Sequence, residues 1–154
     1  MISTILWPTD LSKNSLKAAK HVVSLAQKYQ AKTIMLYVGT DLTSFWGGYA
    51  HEPGEHHLKN FQEWELKQAK SKMQTVCDTD LKACPNMVIK VAQGDAAAEI
   101  LKMIQEEKVD LVVLTTHGRG QESLDQKSPV FGSVAEKVIR TSPAPVHLVN
   151  PYGT

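Results

Sequence analysis

The chain has 154 residues, with 17 Lys and Arg against 16 Asp and Glu and a formal charge of +1. That length suits about one domain, taken as residues 1–154, and is enough to bury a core. The near balance of charge gives no general pull toward nucleic acid or an anionic membrane, and no apolar run approaches the ~20 residues that span a bilayer.

In chain order, strand and helix patterns alternate. "STILWP" (Ser3–Pro8) is a short apolar run stopped by Pro8 and Asp10, and reads as a strand. From Ser12 to about Tyr29, Ser15, Ala18, Ala19, Val22, Ala26 and Tyr29 recur at helical spacing, with Ser12 or Asp10 as N-cap. "TIMLYV" (Thr33–Val38) is apolar on both faces, as a strand inside a covered parallel sheet must be. Gly39 to His57 is rich in Gly, Pro and Asp and reads as a long loop. A helix is expected from about Leu58 to Leu81, with Leu66, Ala69, Met73 and Val76 as its core stripe. Phe61 and Trp64 fall on roughly its opposite side, either packing on Phe45 and Trp46 or forming a partner surface.

The third strand is "MVIKVAQ" (Met87–Gln93), and Asp95 caps a helix running to about Glu107. "DLVVLTT" (Asp110–Thr116) is the most apolar strand and is placed centrally. A last helix (Gly132–Thr141) ends at Ser-Pro, and "PVHLVN" (Pro145–Asn150) is the fifth strand. No linker, repeat or low-complexity segment interrupts the pattern. Such alternation implies a parallel sheet with helices on both faces. In these sheets ligands sit beyond the carboxyl ends of the strands, where strand order reverses. The candidate site is therefore built from the loops after the first, second and fourth strands.

Those loops carry residues suited to an anion. Gly118 and Gly120 allow close backbone approach. Gly132-Ser133 opens a helix, whose free amides and positive dipole end favour phosphate. Ser133 adds a hydroxyl, and Arg119 or Lys127 a charge. Asp10 stands where a carboxylate accepts hydrogen bonds from an adenine amino group or a ribose. Each residue also has a purely structural reading: Gly118 a turn, Ser133 and Asp10 caps. Their convergence at one sheet edge favours the site.

"ILWPTDLSKNS", "QGDAAAEILKMIQEEKVDLVVLTTHGRG" and "GSVAEKVIRTSPAPVHLV" resemble the universal stress protein family over nearly the whole chain, least between Gly39 and Asn86. The resemblance implies an open five-stranded parallel sheet in order 3-2-1-4-5, α/β and adenine nucleotide alpha hydrolase-like. It also implies a homodimer formed through the last strand, Pro145–Asn150. Nucleotide-binding members carry a glycine, two residues, a second glycine, nine residues, then Gly-Ser or Gly-Thr. Here Thr115 replaces the first glycine, Gly118 aligns with the second, and thirteen residues precede Gly132-Ser133. Lengthening that loop by about four residues costs only a few tenths of a kcal/mol in closure entropy. Losing charge-assisted phosphate contacts costs roughly 1.5–3 kcal/mol each, so geometry decides. The resemblance implies that Thr9, Asp10, Val38, Thr115, Gly118, Arg119, Gly132, Ser133, Val134 and Ala135 bind ATP or AMP, with weakened affinity and with Mg²⁺ accompanying ATP.

Other motifs carry less. "HEPGEHH" (His51–His57) has metal-ligand residue types, but its spacing is not H-E-x-x-H and Pro53-Gly54 would break the helix that motif needs, so it reads as a solvated loop. His117 neighbours the glycine turn, orienting the loop, stacking on a ligand or serving structure alone. Thr9, Ser12 and Ser15 faintly resemble a flavin-phosphate loop, and capping explains them better. No G-x-S-x-G elbow, Walker lysine motif or H-x-G-H arrangement is present. The reading is a binding module rather than an enzyme, with slow ATP hydrolysis as its upper limit. Cys77 and Cys84 are expected to be reduced structural thiols rather than a redox pair. "MISTILWPTD" lacks the pattern of a signal peptide, so the expected compartment is the cytoplasm. The expected function is a dimeric, nucleotide-responsive stress regulator. The alternative is a nucleotide-independent dimer whose altered loop engages a protein partner.

Overall fold

The computed structural model describes residues 1–41, 55–117 and 131–153. Its strands are β1 (Thr4–Pro8), β2 (Lys32–Gly39), β3 (Asn86–Gln93), β4 (Leu111–Thr115) and β5 (Val146–Val149). Its helices are α1 (Lys13–Leu16), α2 (Ala19–Tyr29), α3 (Glu55–Thr79), α4 (Ala96–Glu106) and α5 (Ser133–Thr141). The strands form one parallel sheet in order β3-β2-β1-β4-β5, as the resemblance implied.

Alternation along β1 feeds two separate cores. Ile5 and Trp7 face α2 and α3, where Val22, Ala26, Ala69, Met73 and Val76 complete a buried cluster. Leu6 faces the other way, with Ile34, Leu36, Ile100, Ile104 and Val138. Burying a side chain of this size contributes roughly 1.5–3 kcal/mol, so both faces are needed to hold so short a strand. Among the described residues, no helix is long and apolar enough to cross a membrane.

The helix expected over Ser12–Tyr29 is divided. The amides of Lys17 and Ala18 reach back three residues, to the carbonyls of Asn14 and Ser15, so the chain tightens between α1 and α2. The backbone there stays right-handed helical, which is why the apolar spacing gave no sign of the break. α3 begins at Glu55, three residues before its expected start and directly after the Pro53-Gly54 pair. Ala69, Met73 and Val76 are its buried stripe, whereas Phe61 and Trp64 are about half exposed with ring centroids 5.9 Å apart. Phe45 and Trp46 lie outside the described residues, as does His51–His57 apart from the start of α3. At the end of β3, Gly94 adopts φ +136°, a conformation L-residues rarely take, and passes the chain to Asp95. The Asp95 carboxylate then accepts from the Ala98 amide and caps α4.

Cys77 and Cys84 are free and partly buried, with Cys77 Sγ 3.9 Å from Met35 Sδ. Burial pushes both thiols above their ordinary value. Ellman's reagent at pH 7.5 should therefore react slowly with the native protein and faster only toward pH 9 and above. Rapid release of two equivalents at pH 7.5 would contradict this burial.

At the amino ends of β1 and β4, the Asp110 carboxylate accepts from the Ser3 amide, the Ser3 hydroxyl and the Thr4 amide at 2.8–3.0 Å. These bonds hold its pKa below the usual 3.8. A depressed folded value gives stability that is present above pH 4 and is lost as pH falls through that value. Asp110→Asn should cost about 1 kcal/mol at pH 7, the low end for charge-assisted bonds because the site is open to water. Urea titrations should show that difference closing toward pH 2.

Candidate functional site

Where β1 ends, the chain is held in an unusual turn. The Thr9 amide continues the sheet ladder by donating to the Leu36 carbonyl at 2.8 Å. The Thr9 hydroxyl is buried, 2.7 Å from Ser15 Oγ, and accepts from the Leu11 amide at 3.0 Å. Leu11 itself has φ 64°, a left-handed conformation that costs a non-glycine residue roughly 1–2 kcal/mol. Three things hold it there: the Thr9 bond, burial of its side chain, and Lys72 Nζ donating to its carbonyl at 3.1 Å. Asp10, partly buried, lies between, and its Oδ1 accepts from the Ser12 amide. Ser12 Oγ in turn accepts from the Ser15 amide and caps α1, so Ser12 rather than Asp10 is the N-cap.

A second device closes the far wall. The Gly132 amide donates to the Thr116 carbonyl at 2.8 Å, tying the start of α5 to the end of β4. Gly132 is the N-cap of α5 and has no side chain with which to cap it. Among the described residues no side chain caps the first turn of α5, and amides at such a helix start suit an anion.

Between these walls lies an open cleft of about 590 Å³ at the carboxyl edge of the sheet. Eight of the sequence-assigned residues line it: Thr9, Asp10, Val38, Thr115, Gly132, Ser133, Val134 and Ala135. Gly118 and Arg119 lie outside the described residues, as do Gly120 and Lys127. Sequence reasoning missed Phe131, Leu36, Leu114 and Glu136, and it missed Ala96 and Ile100 at the start of α4. The α4 start was legible, because Asp95 marks it. What was not legible is that α4 and α5 share one face of the sheet, so that Ile100 and Val134 join one hydrophobic cluster and both line the cleft.

The cleft is apolar in its walls and polar at its ends. Val38, Ile100 and Leu114 supply flat hydrocarbon, while Asp10, Thr9 and the α5 amides supply directed hydrogen bonds. That combination suits a ligand with an aromatic base and an anionic group. His117 is buried, with Nδ1 2.8 Å from Thr116 Oγ1 and its ring 5.3 Å from that of Tyr152. Among the described residues its Nε2 has no hydrogen-bond partner, and His117 is not one of the cleft's described lining residues.

The sequence matches the universal stress protein family over residues 1–150. The chain belongs to that family. Universal stress protein MJ0531 of Methanocaldococcus jannaschii is 30% identical over 146 residues, covering 94% of this chain and 80% of that one. Universal stress protein MJ0577 of the same organism is 30% identical over 165 residues, covering 97% and 95%. Its solved structure superposes with a TM-score of 0.81 at 25% identity, covering 97% of this chain and 96% of that one. Two more distant universal stress proteins share the fold: one solved in complex with cAMP (TM-score 0.63, 20% identity, 97% and 98% covered) and one from Archaeoglobus fulgidus in complex with dAMP (0.65, 14%, 97% and 98%).

Thr9 is the residue whose loss should loosen this universal stress protein's cleft. Thr9→Val removes both hydroxyl contacts and leaves Ser15 Oγ and the Leu11 amide without them in a buried place. We expect about 1–3 kcal/mol of destabilisation by urea titration. An unchanged midpoint would mean that Leu11 keeps its conformation without Thr9.

Proposed function

We propose that this universal stress protein binds an adenine nucleotide, ATP or AMP, in the cleft and acts as a dimeric regulatory module of the cytoplasmic stress response. One observation carries the reading: Asp10, Val38 and the uncapped start of α5 converge on one cleft at the reversal of strand order. In this reading the amides of Ser133, Val134 and Ala135 hold phosphate, aided by the Ser133 hydroxyl and the positive end of α5. The base lies against Val38, Ile100 and Leu114, and the Asp10 carboxylate accepts from its amino group or from the ribose. Gly118 and Arg119 belong to the same proposed set, and Mg²⁺ accompanies ATP. The relatives solved with cAMP and dAMP support the ligand class. Thr115 occupies the cleft wall where nucleotide-binding members carry glycine, which is the reason to expect reduced affinity.

The dimer is proposed along β5. Among the described residues that strand pairs only with β4, and Leu148 on it is 39% exposed. "VHLV" carries no lysine or proline to guard an open edge, and a second copy of the strand can complete its ladder about a twofold axis.

Gly132 gives a clean test of the site. Its φ −59°, ψ 145° is open to any residue, so Gly132→Val is expected to fold while placing a branched side chain at the cleft. Calorimetric titration of the wild type with ATP, AMP and cAMP, with and without Mg²⁺, should give micromolar binding, about −8 kcal/mol. The variant should lose at least tenfold in affinity with its circular dichroism and association state unchanged. Folded wild-type protein that takes up no nucleotide at millimolar concentration overturns the reading.

A further inference from the structure

His21 and His147 stand far apart in the sequence, one on α2 and one on β5, yet their ring centroids lie 5.6 Å apart with the planes tilted by 45°. Both are partly exposed. The charged neighbours are of mostly one sign. Lys20 precedes His21 on α2, and Lys17, the C-cap of α1, lines the same groove as Lys20 and His21. Asp80, just past α3, is the one acidic residue among the described residues lining that groove. The remainder of β5, Val146, Leu148 and Val149, is uncharged.

We propose that the His21–His147 contact is an acid-sensitive latch on the pairing of a second copy of this chain along β5. The proposal rests on the dimer reading above and adds its regulation. Two adjacent imidazoles share their surroundings comfortably while neutral. Once both carry a proton they repel each other, and Lys20 adds to the repulsion. His147 sits within β5, opposite Val113 of β4, so the repulsion acts on the strand that a second copy must meet. Antiparallel pairing about a twofold axis puts both copies' His147 residues on the same face of the joined sheet. Acid therefore gathers positive charge on one side of the seam.

Burial, then His147, then Lys20 already hold the His21 pKa below its usual 6.5. For a base with a lowered folded value, the unfolded state binds more protons. This shift belongs to each copy's own fold, and the coupling to pairing comes from the like charge that a second copy brings. The contact is thus intact above pH 6.5 and weakens as pH falls through that value.

The test is analytical ultracentrifugation of the full chain at pH 7.5, 6.5 and 5.5 at constant ionic strength, comparing wild type with His21→Gln and His147→Gln. The wild-type dimer dissociation constant should rise about tenfold between pH 7.5 and 5.5. Either variant should reduce that rise to about threefold or less. A wild-type constant that stays flat, or variants that follow the wild-type curve, overturn the latch while leaving the dimer standing. A wild type that is monomeric at pH 7.5 overturns the dimer reading and the latch with it. If a variant fails to fold, histidine ring-proton titrations of the wild type decide. Mutually dependent steps for the two rings support the latch, and independent steps overturn it.

Discussion

β1 is the constraint on which the rest of the molecule depends. Five residues long, it pairs with β2 on one side and β4 on the other, and it feeds a separate core on each face. Right-handed crossovers then fix the helices. The chain builds outward from β1 to β2 and β3 with α2 and α3 on one face, and from β1 to β4 and β5 with α4 and α5 on the other. The loops leaving β1 and β4 consequently part company, and a crevice opens between them. The cleft follows from strand order before any of its side chains is specified.

What the side chains add is precision at two points. Leu11 holds a left-handed turn that is unfavourable for it in isolation, stabilised by Thr9, Lys72 and burial. Each of those contacts is modest, and their sum exceeds the local strain. Across the cleft, the Gly132–Thr116 bond sets the start of α5 against β4. The Leu11 turn and the Gly132–Thr116 bond thus set the two walls on either side of the cleft.

The sequence exposed the architecture because parallel strands buried on both faces read as unbroken apolar runs, and "TIMLYV" and "DLVVLTT" leave little alternative. Of the eight lining residues, Thr9, Asp10, Val38 and Thr115 stand where β1, β2 and β4 end, Gly132 and Ser133 open a helix, and Val134 and Ala135 came from the family resemblance. The break between α1 and α2 stayed hidden, since a tightened turn keeps the helical spacing of its side chains. Ile100 stayed hidden for a different reason: its place in the cleft depends on which face of the sheet α4 covers. The approach of His21 to His147 was equally out of reach, because the first residue is placed by α2 and the second by the far strand. Residues positioned by their own element are legible in a sequence, and residues positioned by the meeting of two elements are not.

The bond between Gly132 and Thr116 has a consequence for tolerance as well as for shape. It holds the end of β4 and the start of α5 together, so the gap that the intervening residues must close is short whatever their number. Added residues there cost only a few tenths of a kcal/mol in closure entropy, and the bond keeps both walls of the cleft where they are.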